Sequence, residues 1–215
     1  MSPEVVIRAY TAVDRDAVRT IACETADRGE PMEHFFPDRV VFADLLTSYY
    51  TEYDSRALWV AVHDGRVIGY LTGCLDSRHY GRVMTWRVIP QAVWKALAHG
   101  LLLSAQAWRS AGAGLRTWWG GELRRQISFE DYPAHLHVNV QQGFRGQQIG
   151  RRLVERFLEQ ARSAGASGVH AAVRGDNEAA CRFFARVGFT ELYRHHIVFP
   201  LDASHESLIY GKRLT

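Results

Sequence analysis

The chain has 215 residues, 47% of them hydrophobic, which predicts one globular domain with a sizeable core and excludes a disordered or fibrous chain. The formal net charge of +3 is too small to argue for nucleic-acid binding, and no apolar run reaches the roughly 18–20 residues that a membrane span needs. Three cysteines without metal-ligand spacing, and an N-terminus without a secretory signal, predict free thiols in a reducing cytoplasm.

The N-terminal part of the chain is predicted to mix strands and helices. Its elements, in order, are a strand at 4–10, a helix after the N-cap Asp14, a helix at 39–53, and strands at 57–63 and 66–75. Asp64-Gly65 is a strong hairpin signal between the last two strands.

Residues 77–130 form a segment rich in tryptophan, with five of the chain's six. A helix is predicted at 91–110, followed by a break at 111–114 and a second helix at 115–127. The apolar side of the first helix comprises Val93, Trp94, Leu97, Leu101 and Trp108. The segment is interpreted either as a helical hairpin whose tryptophans pack onto the sheet, or as a lid over a pocket or a dimer contact.

The stretch from Val138 to Gly150 predicts a buried strand, a tight loop and the first turn of an amphipathic helix. Gly146 and Gly150 let the main chain approach a ligand closely, because no Cβ stands in the way. The free N–H groups of the loop and the positive end of the helix macrodipole together make an anion site. Three basic residues lie at this end of the helix: Arg145, Arg151 and Arg152. Basic residues there interact unfavourably with the helix dipole, so their presence is best explained if a phosphate binds.

The C-terminal part continues this alternation. The predicted elements are a strand at 169–173, a turn at 174–177, a helix at 178–187, and strands at 191–200 and 207–212. Ala180, Phe183, Phe184 and Val187 lie on one face of the helix, which Gly188 ends.

Two segments resemble signatures of the GNAT superfamily of acyl-CoA-dependent N-acetyltransferases. The first is Arg145-Gly146-Gln147-Gln148-Ile149-Gly150, which resembles the pyrophosphate loop, although Gln148 stands where the family usually has glycine. The second comprises Asn177, Ala180, Phe183, Phe184, Gly188 and Phe189. A weaker resemblance links residues 70–78 and the helical segment to bacterial relatives of the acetyltransferase-like domain of O-GlcNAcase.

The resemblance implies an α/β (α+β) fold in a single domain over residues 1–215. The GNAT fold has a central mixed, mostly antiparallel sheet of about seven strands, splayed at the cofactor strand, with helices on both faces. Here it would carry the tryptophan-rich helical insertion at about 77–130.

The resemblance also implies acetyl-CoA, or another acyl-CoA, as co-substrate, with no metal. The cofactor-binding residues it implies are Val138, Asn139, Val140, Arg145, Gly146, Gln147, Gln148, Ile149, Gly150, Arg151 and Asn177. The implied function is an acyltransferase that moves an acetyl group to a primary amine by direct attack in a ternary complex. The acceptor would be a small-molecule or peptide amine, with no nucleic acid or membrane partner, and the added apolar surface is compatible with a homodimer.

The usual proton carriers of the family are missing. Phe184 occupies the position where many members have a tyrosine that protonates the departing thiolate, and Ala172 occupies the position of a glutamate base in some members. His137 and His135 are replacement candidates as the catalytic base, because imidazole titrates near neutral pH. The alternative for both is a half-buried polar residue in a strand, and the alternative for the whole protein is a non-catalytic acyl-CoA-binding sensor or scaffold.

Overall fold

A computed structural model of the chain describes residues 4–34, 36–101, 127–197 and 205–214. One seven-stranded sheet organises these residues, in the spatial order β1-β2-β3-β4-β5-β7-β6. The strands are β1 Val6–Ala9, β2 Leu58–His63, β3 Arg66–Cys74, β4 Ala134–Val140, β5 Gly168–Arg174, β6 Thr190–Ile197 and β7 His205–Arg213. Within this sheet β4 and β5 are parallel and every other neighbouring pair is antiparallel, so the predicted mixed, mostly antiparallel sheet is confirmed.

Six α-helices surround the sheet in the described part of the chain. They are α1 Arg15–Glu24, α2 Arg39–Ser48, α3 Ser77–Val83, α4 Ile89–Ala98, α5 Ile149–Ser163 and α6 Glu178–Arg186. Two π-helical turns, Tyr49–Tyr53 and Met84–Val88, extend α2 and join α3 to α4. The helix predicted at 39–53 is therefore confirmed as an α-helix with a π-helical last turn.

The hairpin predicted at Asp64-Gly65 is confirmed. Both residues have positive φ angles, 50° and 72°, which a tight turn between twisted antiparallel strands requires. The N-cap prediction for Asp14 is wrong in its chemistry, although α1 starts where expected. The Asp14 side chain makes no capping bond to α1; it accepts two hydrogen bonds from Arg8, at 2.7 and 2.8 Å, because a guanidinium is the stronger partner for a carboxylate.

Each face of the sheet has its own core. On one face α5 buries Leu153, Val154 and Phe157 against the sheet. Phe157 lies so close to β3 that a Cβ on Gly73 would stand 2.2 Å from its ring. On the other face α1 packs Val18 and Ile21 against residues of β2 and β3 and against Tyr49 and Tyr50.

The segment between β3 and β4 begins as one continuous helical stretch from α3 through α4. The apolar side predicted for the first helix is not packed on the sheet: Trp94 is 73% exposed, and Val93 and Leu97 are also exposed. Trp86, which precedes that helix, is 77% exposed as well. Ala92 faces the core instead, because the ion pair from Lys95 to Asp44 and the hydrogen bond between His99 and Asp38 fix the rotation of α4 against α2. The helix predicted at 91–110 is wrong in its extent, because α4 ends at Ala98 and Gly100 follows with a φ of 70°, which a continuing helix does not allow. The remaining tryptophans and the second predicted helix, up to residue 126, lie outside the described residues. Within the described ranges, no helix combines the length and apolarity needed to cross a membrane.

Candidate active site between two diverging strands

The parallel strands β4 and β5 separate soon after they meet. They pair with each other only at Ala134 with Val169 and at His135 with His170. Beyond this point β4 remains paired with β3 and β5 with β7. A wedge-shaped gap therefore opens between residues 136–140 of β4 and residues 171–174 of β5.

The main chain of β4 offers free hydrogen-bonding groups to this gap. The amide of Gln141 donates to the carbonyl of Ile68 at 2.9 Å, which sets the alternation of the antiparallel β3–β4 ladder. By that alternation the main-chain N–H and C=O groups of Asn139 and His137 are hydrogen-bonded to β3, whereas those of Val138 and Val140 point into the gap. The Val140 carbonyl accepts a bond from Arg145 Nε at 3.1 Å, so Val138 presents the more available pair.

The loop at the wide end of the gap has the strained geometry of an anion site. Gly146 has a φ of 81°, and a Cβ there would meet nothing within 4 Å, so backbone conformation alone requires this glycine. Gln148 also lies in the left-handed region, at φ 59° and ψ 9°, and it is the N-cap of α5 without a side-chain capping bond. With no acidic residue in its first turn, α5 directs uncapped N–H groups and its positive dipole end at the gap.

Arg145 ties this loop to the segment that follows α1. Its guanidinium donates to the carbonyl of Gly29 at 3.3 Å, and a Cβ on Gly29 would stand 2.2 Å from it. The same segment reaches the end of β5, where Asp27 pairs with Arg174 at 3.0 Å and Arg28 with Asp176 at 3.5 Å. Residues 27–30, called here the strap, thus connect the ends of both diverging strands.

Asn177 lies across the gap from the loop, at the start of α6. Its side-chain oxygen accepts a hydrogen bond from the amide of Ala180 at 3.0 Å, which explains the residue as a helix cap. The implied contact of Asn177 with a bound cofactor stays a prediction.

A cavity of about 1050 Å³ lies beside the narrow end of the gap. The histidines His135, His137 and His170 line it together with Tyr80, Ala172 and Glu130. Three histidines at one site raise the question of a metal, but the described residues contain no cluster of three or more groups placed to bind one.

His135 is locked into a buried hydrogen-bond chain. The Ser77 hydroxyl donates its one proton to the carbonyl of Pro133 at 2.7 Å, so it accepts from Nδ1–H of His135, also at 2.7 Å. Nε2 of His135 then accepts from the hydroxyl of Tyr50 at 2.9 Å. Both ring nitrogens are engaged in a ring only 6% exposed, and burial, with His137 and His170 nearby, holds the pKa of His135 well below its usual range.

His137 lies on the same face of β4 but has a different environment. Its ring centroid is 6.0 Å from that of His135, which confirms the predicted shared face, and the ring is exposed to the cavity. The walls around it desolvate the charged form, which lowers the pKa of His137 below 6.5. His170, on β5, has its pKa lowered by burial to about 4. Both histidines are therefore neutral at pH 7.

The two positions that lack the usual proton carriers have opposite surroundings. Phe184 is 6% exposed and packs in the core, stacked on Tyr210 with ring centroids 5.9 Å apart. Ala172 is exposed and lines the cavity, because alternate residues of β5 face opposite sides of the sheet.

Comparison with known proteins gives the same fold. Residues 111–189 match the acetyltransferase (GNAT) family. The structure of SsHAT superposes with a TM-score of 0.72 at 23% identity, covering 99% of this chain and 100% of that one. The chain has the GNAT fold.

Two further GNAT-like structures add context. The candidate acetyltransferase yncA from Salmonella typhimurium, solved with its cofactor acetyl-CoA, has a TM-score of 0.63 at 16% identity and covers 99% of this chain and 95% of that one. Ribosomal-protein-alanine N-acetyltransferase from Brucella melitensis has a TM-score of 0.59 at 19% identity, covering 97% and 99% respectively. At such identities the likeness establishes the fold, and the closer resemblance to relatives of the O-GlcNAcase domain stays a prediction.

The GNAT fold brings together most of the residues singled out in the sequence. Residues 138–151 form one strand and loop along the gap, while Asn177 stands on its other side. Sequence reasoning missed Tyr50, Ser77, Tyr80 and His170 around the two candidate histidines. His170 could have been found from the sequence, because a polar ring in a short apolar strand indicates a sheet face that is not fully buried. The other three residues lie in helical segments, and nothing in the sequence indicates that these segments pack against β4.

Proposed function

We propose that this GNAT domain is an N-acetyltransferase that moves an acetyl group from acetyl-CoA to a primary amine within a ternary complex. The proposal is supported by three features that lie next to one another: the candidate anion-binding loop, the gap with free main-chain groups, and a cavity that adjoins the gap at His137. Acetyl-CoA would supply an activated thioester.

The loop and β4 would hold the co-substrate through the main chain. Uncapped amides at the start of α5, with Arg151 beside them, suit a pyrophosphate. The free edge of β4 suits an extended amide-containing chain, which it would pair with as an added strand. The N–H of Val138 is then the donor best placed to stabilise negative charge that develops on a carbonyl oxygen in the gap.

His137 would accept the proton that the attacking amine loses. It is neutral at pH 7, exposed to the cavity and next to Val138 on β4, whereas His135 has both nitrogens occupied. His135 is accordingly assigned as a positioning residue that fixes the floor of the cavity.

The thiolate would leave without a proton from position 184, because Phe184 has no hydroxyl. Holding the amine and the thioester in contact can itself contribute about 7–11 kcal/mol in the best cases, so catalysis does not require that acid. The same absence supports a second candidate function, acyl-CoA binding without turnover.

A release assay for free CoA separates the two functions. Purified protein with saturating acetyl-CoA should release thiol only when an amine is added from a panel of primary amines, and His137→Gln should lower this rate while acetyl-CoA binding persists. Binding with no acceptor-dependent release across the panel would favour the sensor, and the absence of binding would overturn both.

A further inference from the structure

One wall of the cavity is a single helical face. Arg78, Arg82, Thr85 and Trp86 all line the cavity. The spacings of four between Arg78 and Arg82, and of three and four from Arg82 to Thr85 and Trp86, place them along one side of the stretch that runs from α3 into the π-helical turn. The histidines of β4 and β5 line the same cavity.

Gly81 leaves a space in the middle of this wall. It lines the cavity within α3, and a Cβ built there would meet nothing within 4 Å, so no packing contact or positive φ requires a glycine. Glycine within a helix is less favourable than alanine. A position that is unfavourable for the helix and unneeded for packing is explained by the room it leaves in the cavity.

The charges on the cavity wall are mostly positive. Arg78 and Arg82 face the cavity, and the one carboxylate among its described lining residues, Glu130, lies 3.9 Å from Arg78 in an exposed pair. The cavity histidines add no charge, because burial lowers the pKa of His137 and of His170. Arg82 is therefore the cation most available to a ligand.

Building on the proposed function, we propose that this wall binds an anionic group of the acceptor, so that the substrate is a primary amine that also carries a carboxylate or phosphate. Arg82 and the Thr85 hydroxyl would bind the anion, Gly81 would leave it room, and the amine would point towards His137. Nearby positive charge also favours the neutral, nucleophilic form of an amine, and it disfavours polyamines and other polycations.

The test is calorimetric binding of matched amines to the CoA-saturated protein. The carboxylate pair is L-phenylalanine and phenethylamine, and the phosphate pair is glucosamine 6-phosphate and glucosamine. In at least one pair the member that carries the carboxylate or phosphate should bind about 10–100-fold more tightly, the range expected for a charge-assisted contact. Arg82→Gln should abolish that preference, whereas Arg87→Gln, a neighbouring arginine outside the cavity lining, should preserve it.

The Gly81→Leu variant tests the proposed acceptor site independently. Leucine favours the helix, so the variant should fold and bind CoA, yet it should lose amine binding at least tenfold because the side chain enters the cavity. Equal or stronger binding, in both pairs, of the member that lacks the carboxylate or phosphate would overturn this inference alone. So would no amine binding at all, or unchanged binding in Gly81→Leu. Failure of the wild-type protein to bind CoA would overturn the proposed function as well.

Discussion

His137 and His135 are two residues apart on one strand, yet their surroundings give them different roles. His137 opens onto the cavity, whereas His135 is enclosed by Tyr50 and Ser77. The alternation of β4 predicted their shared face. The difference between them was not predictable, because it depends on partners 85 and 58 positions away along the chain.

For His137 the prediction concerns rate and its dependence on pH. His137→Gln should lower kcat by about 10²-fold or more, the usual contribution of a general base, with little change in KM for acetyl-CoA. A base must be unprotonated, and burial lowers the pKa of His137, so the acid limb of the wild-type kcat/KM profile should lie below pH 6.5. An acid limb above pH 7, or a variant as fast as the wild type, would show that another group takes the proton.

For His135 the prediction concerns stability. Its pKa is lower in the folded protein than in the unfolded chain, so folding disfavours its protonation. The contribution of His135 is therefore complete above about pH 6.5 and is lost as the pH falls from there towards the folded pKa. Urea unfolding of the wild type should show stability declining through this window, and His135→Gln should flatten the decline.

The His135→Gln variant should also cost about 1–3 kcal/mol at pH 7.5, because Tyr50 and Ser77 lose a buried partner. Ser77→Ala is the matched control, since it removes the two bonds of the Ser77 hydroxyl and leaves the titrating ring in place. A wild-type protein whose stability does not change between pH 7.5 and 5 would contradict this account.

At the scale of elements, the strand–loop–helix unit of residues 134–163 shows what local sequence can specify. Glycine positions and the crowding of arginines predicted the loop and the anion site, and both strand β4 and helix α5 form where expected. The residue pattern alone does not indicate that the main-chain groups of Val138 are free, because this depends on the register of β4 with β3 and on the early divergence of β5.

Gln148 provides a prediction for this unit. A non-glycine residue in the left-handed region costs about 1–2 kcal/mol, while glycine loses roughly 0.5–1 kcal/mol in backbone entropy. Gln148→Gly should therefore stabilise the protein by about 0.5–1 kcal/mol in urea unfolding, and acetyl-CoA binding should be retained. Gly146→Ala, at φ 81°, should destabilise it. If Gln148→Gly lowered the stability, the glutamine side chain would have a structural role that its backbone conformation does not indicate.

At the scale of the whole molecule, contacts between segments that are distant in the sequence connect the two ends of the gap. The strap connects the loop after β4 to the turn after β5, through Arg145 on one side and Arg174 and Asp176 on the other. None of these pairings was predictable, since each joins segments more than a hundred residues apart. The predicted packing of α4 was wrong for the same reason, because the rotation of this helix depends on the ion pair of Lys95 with Asp44 in α2 and on the hydrogen bond of His99 with Asp38, the N-cap of α2.

Loosening the strap should change the kinetics of cofactor exchange. Arg28→Ala removes the pair with Asp176, so acetyl-CoA should associate and dissociate several-fold faster in stopped-flow measurements, with less change in Kd. Arg66→Ala, at the start of β3 on the distant hairpin, is the control and should leave both rates unchanged. A slower exchange in Arg28→Ala would mean that the strap holds the gap open.

Thermal unfolding with and without acetyl-CoA tests the central claim, that the loop before α5 binds the co-substrate's phosphates. At 100 times Kd, ligand binding stabilises a protein by about 2.7 kcal/mol, which raises Tm by roughly 5–10 °C in a chain of this size. Gly146→Gln and Gly146→Glu share the same backbone strain, a Cβ there meets no neighbour within 4 Å, and the two side chains have nearly the same size, so the variants differ chiefly in charge. The account predicts that acetyl-CoA protects the wild type and, to a lesser degree, Gly146→Gln, but not Gly146→Glu; equal protection of both variants, or none of the wild type, would contradict it.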